Sequence, residues 1–153
     1  MNPDRAWRRS GTTAASEAAE IARGVARALS AADQAVLPEV PLANGRRADL
    51  VALDRGGTIT LVEIKSSRAD FVADRKWQEY LDYCDRFYFA VAAGFPVELL
   101  PPGEGLILAD RFAGEILREA RLRCLSAARR KAMLIRFARA SAGRLQALLD
   151  PPL

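Results

Sequence analysis

The chain contains no histidine. That removes Ser-His-Asp and Cys-His catalysis, histidine-dependent nucleases and histidine-containing zinc sites together. Any catalysis must run on carboxylates, lysine, hydroxyls or a hard metal ion. Cysteine is nearly as scarce. Cys84 and Cys124 are far apart and lack metal-type spacing, so both are expected to be reduced and buried, as in a cytoplasmic protein. Aromatics are only 7% of residues, so Trp77 and Tyr80 are read as packing residues before base-stacking ones. No run approaches the ~18 apolar residues of a membrane span. Arg8-Arg9 is followed by Glu17 and Glu20 rather than by an apolar stretch, so export is not expected.

What is present fits one domain. The 153 residues are 50% hydrophobic and 27% charged, enough apolar material for a real core. The charge is unevenly spread. Residues 1–48 carry 7 basic and 5 acidic groups, residues 49–110 carry 6 and 11, and residues 111–153 carry 10 and 3. An acidic middle between basic ends suits a metal centre with phosphate-binding margins. A merely solvated, arginine-rich surface would read the same way.

Residues 1–11, with Trp7, are expected to form a flexible basic leader. Ala14, Ala18, Ile21, Val25 and Leu29 recur at helical steps and predict a helix from residue 12 or 13 to 29. Residues 35–42 read as a strand that Pro38 and Pro41 confine to an edge or a first position. Residues 46–53 and 58–65 read as a hairpin about Gly56-Gly57. Ser67 and Asp70 resemble a capping box that opens a helix to about residue 84, with Phe71, Asp74, Trp77, Gln78, Leu81 and Cys84 on one side. Residues 86–92 are a strongly apolar strand, central and parallel after that crossover. Shorter strands are predicted at 106–109 and 114–118. A basic helix follows over 126–149, its core face formed by Leu134, Phe137, Ala138, Ser141, Leu145 and Leu148. The whole reads as an α/β fold: a central mixed sheet flanked by helices, with an αβββαβ core and a basic C-terminal helix.

The stretch that organises this frame is Leu61-Val62-Glu63-Ile64-Lys65. It is an apolar strand carrying a carboxylate and an ammonium two apart, on one face. Buried charges need partners, water or a metal. A three-residue loop at 55–57 would pair Asp54 with Thr58 and bring Asp49 opposite Glu63; a two-residue loop would put them on opposite faces. With the longer loop, Asp49, Glu63 and the Ile64 carbonyl could hold Mg²⁺ or Mn²⁺ with waters, and Lys65 could orient a water and stabilise a pentacoordinate phosphorus. Read structurally, the same residues are an ordinary strand ion pair.

Arg46-Arg47-Ala48-Asp49, then Val62-Glu63-Ile64-Lys65-Ser66-Ser67-Arg68-Ala69-Asp70-Phe71, then Asp74-Arg75-Lys76-Trp77-Gln78-Glu79-Tyr80, then the block from Asp82 to Val91, carry a resemblance. Asp49 followed by Glu63-x-Lys65 resembles the PD-(D/E)XK nuclease superfamily. The longer blocks, over roughly residues 36–110, are similar to the MmcB-like DNA repair family. The resemblance implies a restriction-endonuclease-like fold, a divalent metal at Asp49 and Glu63, and Lys65 as the catalytic lysine. It also implies a helical acid, matched by Glu20 or Glu17, with Glu39 a third choice. Ala48 stands where a proline is usual. Gln78 matches half of a Gln-x-x-x-Tyr helix pattern, because Asp82 occupies the tyrosine position.

The expectation is therefore a metal-dependent DNA nuclease acting in repair. The alternative is a non-catalytic DNA-binding or adaptor module on the same fold, and a third reading is a structural protein with a buried ion network. DNA is the expected partner, with other repair proteins beside it; a two-fold dimer would suit duplex or junction cleavage.

Overall fold

The computed structural model describes residues 13–152, so the leader expected over residues 1–11 lies outside them. Helix α1 (Ala14–Ala31) starts at Thr13, whose hydroxyl accepts from the Ser16 amide at 3.2 Å. Then follow β1 (Ala35–Pro41), β2 (Arg47–Leu53), β3 (Ile59–Ile64), α2 (Arg68–Ala73) and a 3-10 helix (Trp77–Tyr83). After them come β4 (Arg86–Val91), a 3-10 turn (Val97–Leu99), β5 (Gly105–Ala109), β6 (Gly114–Arg118) and α3 (Ala127–Leu149).

Among the described residues, six strands form one sheet in chain order. Strands β1, β2 and β3 run antiparallel, β3, β4 and β5 run parallel, and β6 turns back antiparallel. Strand β1 lies at the edge, where prolines leave no ladder donor missing inside the sheet. Alternation in β2 and β3 splits the core into two layers. Leu50 and Val62 join Ile21, Val25 and Leu29 of α1 on one face. Val51 and Leu61 join Tyr80, Phe87, Phe89 and Met133 on the other. Gly24 lets α1 close on the turn before β6, since a Cβ there would sit 1.8 Å from the Asp110 carbonyl oxygen.

Three expectations are corrected. The helix predicted to reach residue 84 breaks at Asp74. The Asp74 carboxylate accepts from the Lys76 amide at 3.2 Å and from Lys65, competing with helix continuation. The chain resumes as a 3-10 helix with three residues per turn, which aligns Trp77, Tyr80 and Tyr83 and not Trp77, Gln78 and Leu81. Tyr80 is buried and Gln78 is exposed as a result. Helix α3 packs through Met133, Leu134, Phe137 and Ala140, while Ala138, Leu145 and Leu148 are exposed because its last turns find no core to cover. Cys124 is exposed and only Cys84 is buried.

One buried carboxylate ties the second layer together. Asp85 accepts from the Ile59 amide at 2.8 Å, from the Leu125 amide at 2.9 Å and from both Nη atoms of Arg130 at 2.7 Å. It anchors the start of α3 to the start of β3.

Candidate functional site

The β2–β3 register decides the site. Leu50 pairs with Val62 and Leu53 with Ile59, so continuing one step places Asp49 opposite Glu63. The three-residue loop is present, with Gly57 at a φ of 87° that an L side chain resists. Asp49, Glu63, Ile64 and Lys65 line one cleft of about 340 Å³ with Glu39, Asp70 and four alanines of α1. Those alanines, Ala15, Ala18, Ala19 and Ala22, are small enough to leave the space open.

Within the cleft, Asp49 Oδ2 accepts from the Ile64 amide at 2.7 Å, extending the ladder by a side chain where β3 leaves β2. Lys65 Nζ lies 2.9 Å from Asp74 Oδ2 and 3.6 Å from Glu63 Oε1. Arg46 Nη2 approaches the other Asp74 oxygen at 3.3 Å, its Nε binds Glu79 at 2.9 Å, and its guanidinium lies 4.8 Å over the Tyr80 ring. The Tyr80 hydroxyl donates to the Arg47 carbonyl at 3.2 Å.

These contacts set the charges. Burial, reinforced by the neighbouring Asp49 charge, pushes Glu63 up to about 8 despite Lys65. Burial raises Asp49 too, against the amide hydrogen bond from Ile64 and the charge of Lys65. Burial works against the Lys65 ammonium, but the hydrogen bond to Asp74 and the charge of Glu63 outweigh it and raise its pKa. Burial likewise opposes Asp74, yet Lys65 holds it below the usual carboxylate range. Burial and the Glu63 charge push Tyr80 up to about 12, so it stays a neutral phenol.

A divalent cation implied by the family resemblance can be tested against these donors. Among the described residues, no three acidic or thiol side chains converge closely enough to hold an ion between them. A hard cation that keeps most of its water needs only one or two carboxylates. Asp49 and Glu63 supply two, and Glu63 Oε2 is buried without a hydrogen-bond partner among the described residues. A buried carboxylate oxygen with nothing to bind is costly, so this donor pair fits such a cation.

The other expected residues divide. Glu20 does not line the cleft, because it lies two residues from both Ala18 and Ala22, about 200° round the helix from them. Glu17 lines an adjoining hollow with Ser66, Ser67 and Arg68. Glu39 is the one of the three acids that reaches the cleft. It does so from a left-handed backbone with a φ of 50°, a strained conformation for glutamate, and lies 3.5 Å from Arg47 Nη2. Gln78, exposed on the 3-10 helix, is not brought to the cleft; Tyr80 stands against Glu63 in its place. Trp77 stacks on Phe87 with centroids 5.7 Å apart, as a core residue. Asp74 and Arg46 are the residues that spacing did not single out for the site. The signal for Asp74 was a charge inside an otherwise apolar helical stripe.

Comparison with solved structures finds a protein of unknown function from Silicibacter pomeroyi, 48% identical, with a TM-score of 0.86 over 88% of this chain and 92% of that one. The curated proteins hold no match. Among the described residues, no helix is long and apolar enough to cross a membrane. Residues 7–152 match the family described as DNA repair protein MmcB-like, and with nearly the whole chain covered this protein belongs to that DNA repair family.

Proposed function

We propose that this chain is a metal-dependent DNA nuclease of the PD-(D/E)XK type, on a restriction-endonuclease-like fold, acting in repair by phosphodiester hydrolysis. One observation carries the reading: Glu63, opposite Asp49 and beside Tyr80, buries an oxygen, Oε2, that has no hydrogen-bond partner among the described residues. A structural ion network would be expected to use that atom, as Asp85 uses both of its own. Asp49 and Glu63, with the Ile64 carbonyl, would hold Mg²⁺ or Mn²⁺. When bound, such an ion lowers the pKa of a coordinated water and polarises a phosphodiester oxygen. Lys65, kept cationic by Asp74, would stabilise charge gathering on the phosphoryl oxygens. Glu39, on the rim of the cleft, would take the place expected for the helical acid and orient water.

A second reading is a non-catalytic DNA-binding module. It is favoured by the 2.9 Å contact that already commits Lys65 to Asp74. Cleavage of labelled duplex, nicked, flap and single-stranded DNA in Mg²⁺ or Mn²⁺, with Asp49→Ala and Lys65→Ala beside the wild type, separates the two. The nuclease reading expects metal-dependent cutting that both substitutions abolish. DNA binding without cutting on any substrate, indifferent to both substitutions, would leave the module.

A further inference from the structure

Helix α3 carries Arg129, Arg130, Lys131, Arg136, Arg139 and Arg144 and no acidic residue. Two of these arginines are anchored in a way that fixes them without neutralising them. Arg136 donates to the Pro41 carbonyl at 2.9 Å, and Arg144 donates to the carbonyls of Pro38 and Glu39. A carbonyl acceptor holds a guanidinium in place but leaves its full charge, unlike the carboxylate of Asp85 that holds Arg130. The anchored stretch is the part of β1 that brings Glu39 to the cleft. Beside it a groove of about 410 Å³ runs between β1 and α3, lined by Pro41, Ala132, Ile135, Arg136, Arg139 and Ala140. Arg139 and Ala132 are exposed along it.

We infer that this β1–α3 groove receives the phosphodiester backbone of a DNA strand leading to or from the cleft. The inference rests on the reading of DNA as the substrate and assigns a track for it. Fixed, un-neutralised cations at a sheet edge attract a polyanion through release of its counterions, with no sequence reading. The alanines and Ile135 leave the groove floor free of competing acids, and the positions of Arg136 and Arg144 are set before DNA arrives.

The test is DNA binding by fluorescence anisotropy between 50 and 200 mM salt without divalent metal, using the full chain in both wild-type and Asp49→Ala backgrounds. Arg139→Ala is expected to weaken binding about threefold and to lower the salt slope by about one. Arg139→Glu and Ala132→Glu place an acid in the groove and are expected to weaken it further, while Arg55→Ala, on the β2–β3 loop and paired with Asp33, leaves it unchanged. Circular dichroism confirms that each variant is folded. Wild-type binding that Arg139→Glu and Ala132→Glu leave intact, or no binding by the wild type, would overturn the groove. Loss of cutting has no bearing on this readout, so the nuclease reading can fail while the groove stands.

Discussion

Two buried carboxylates sit at opposite ends of β3, and they are built in opposite ways. Asp85 meets the first residue of β3, is 2% exposed, and has both oxygens occupied by two amides and a bidentate arginine. Those bonds, led by Arg130, overcome burial and hold its pKa below the usual range. Glu63, near the last residue of β3, is 7% exposed, and one of its oxygens has no partner among the described residues. Burial wins there and its pKa rises to about 8. Solvent exposure is low at both ends, but Glu63 is more heavily desolvated and also lacks the partners that Asp85 has. A satisfied buried acid is a clasp that stabilises the fold, whereas an unsatisfied one is a destabilising group whose retention calls for a ligand.

The largest effect that would sharpen this contrast is Asp85→Ala. It leaves the Ile59 and Leu125 amides without their acceptor and removes the carboxylate partner of Arg130, which is part-exposed and keeps the Gly57 carbonyl. Urea denaturation is expected to show a loss of about 2–4 kcal/mol. A loss below about 1 kcal/mol would dissolve the contrast. Next is Glu63→Gln, expected to raise metal-free stability at pH 9 by about 1–3 kcal/mol, because a charged, unpartnered oxygen is removed.

The signs of the two pH dependences differ. The folded pKa of Glu63 is raised from 4.5 to about 8, so its contribution is complete below 4.5 and is lost as pH rises towards 8. Asp85 is depressed, so its contribution is present above its ordinary value of 3.8 and is lost as pH falls through the lower folded value. Chemical denaturation between pH 3 and 9 is expected to show both limbs in the wild type, a shallower alkaline limb in Glu63→Gln, where Asp49 still contributes, and a shallower acid limb in Asp85→Asn, where Asp74 still contributes.

A smaller effect follows from metal. Mg²⁺ at tenfold excess over its Kd is expected to stabilise the wild type by about 1.4 kcal/mol and to release a proton below pH 8, while Glu63→Gln shows neither. Calorimetry in buffers of different ionisation enthalpy checks the proton. An equal response of wild type and variant would place any metal elsewhere. Smallest is Gln78→Ala, expected within about 0.5 kcal/mol and without effect on cutting, since Gln78 is exposed. A large loss of cutting would return that residue to the site.

Much of this is legible in the sequence. Apolar runs bounded by turn residues marked β2 and β3, and Pro38 with Pro41 confined β1 to an edge or a first position, which it holds. Gly56-Gly57 permitted the loop that aligns Asp49 with Glu63. These are local rules, acting within a few residues. The misses lie where a long-range contact overrode a local one. Helical spacing pointed Gln78 inwards, but Lys65 and Arg46 drew Asp74 out of the helix and the chain resumed with a shorter period. The resemblance implied a helical acid, Glu20 or Glu17 with Glu39 a third choice, but α1 turns its alanines to the cleft and of the three only Glu39, on a strained backbone in β1, lines it.

The pattern of apolar residues, turn glycines and caps thus settled the order of the strands and narrowed the hairpin to two registers, because each depends on neighbours along the chain; the structure holds the register that pairs Asp49 with Glu63. Which acid stays unsatisfied, which lysine is held cationic and which arginines keep a free charge came only from packing. Those properties depend on distances between residues far apart in sequence: 40 and 45 positions for Asp85 with Leu125 and Arg130, and 105 for Glu39 with Arg144. No local pattern encodes them, and burial turns such distances into charge states.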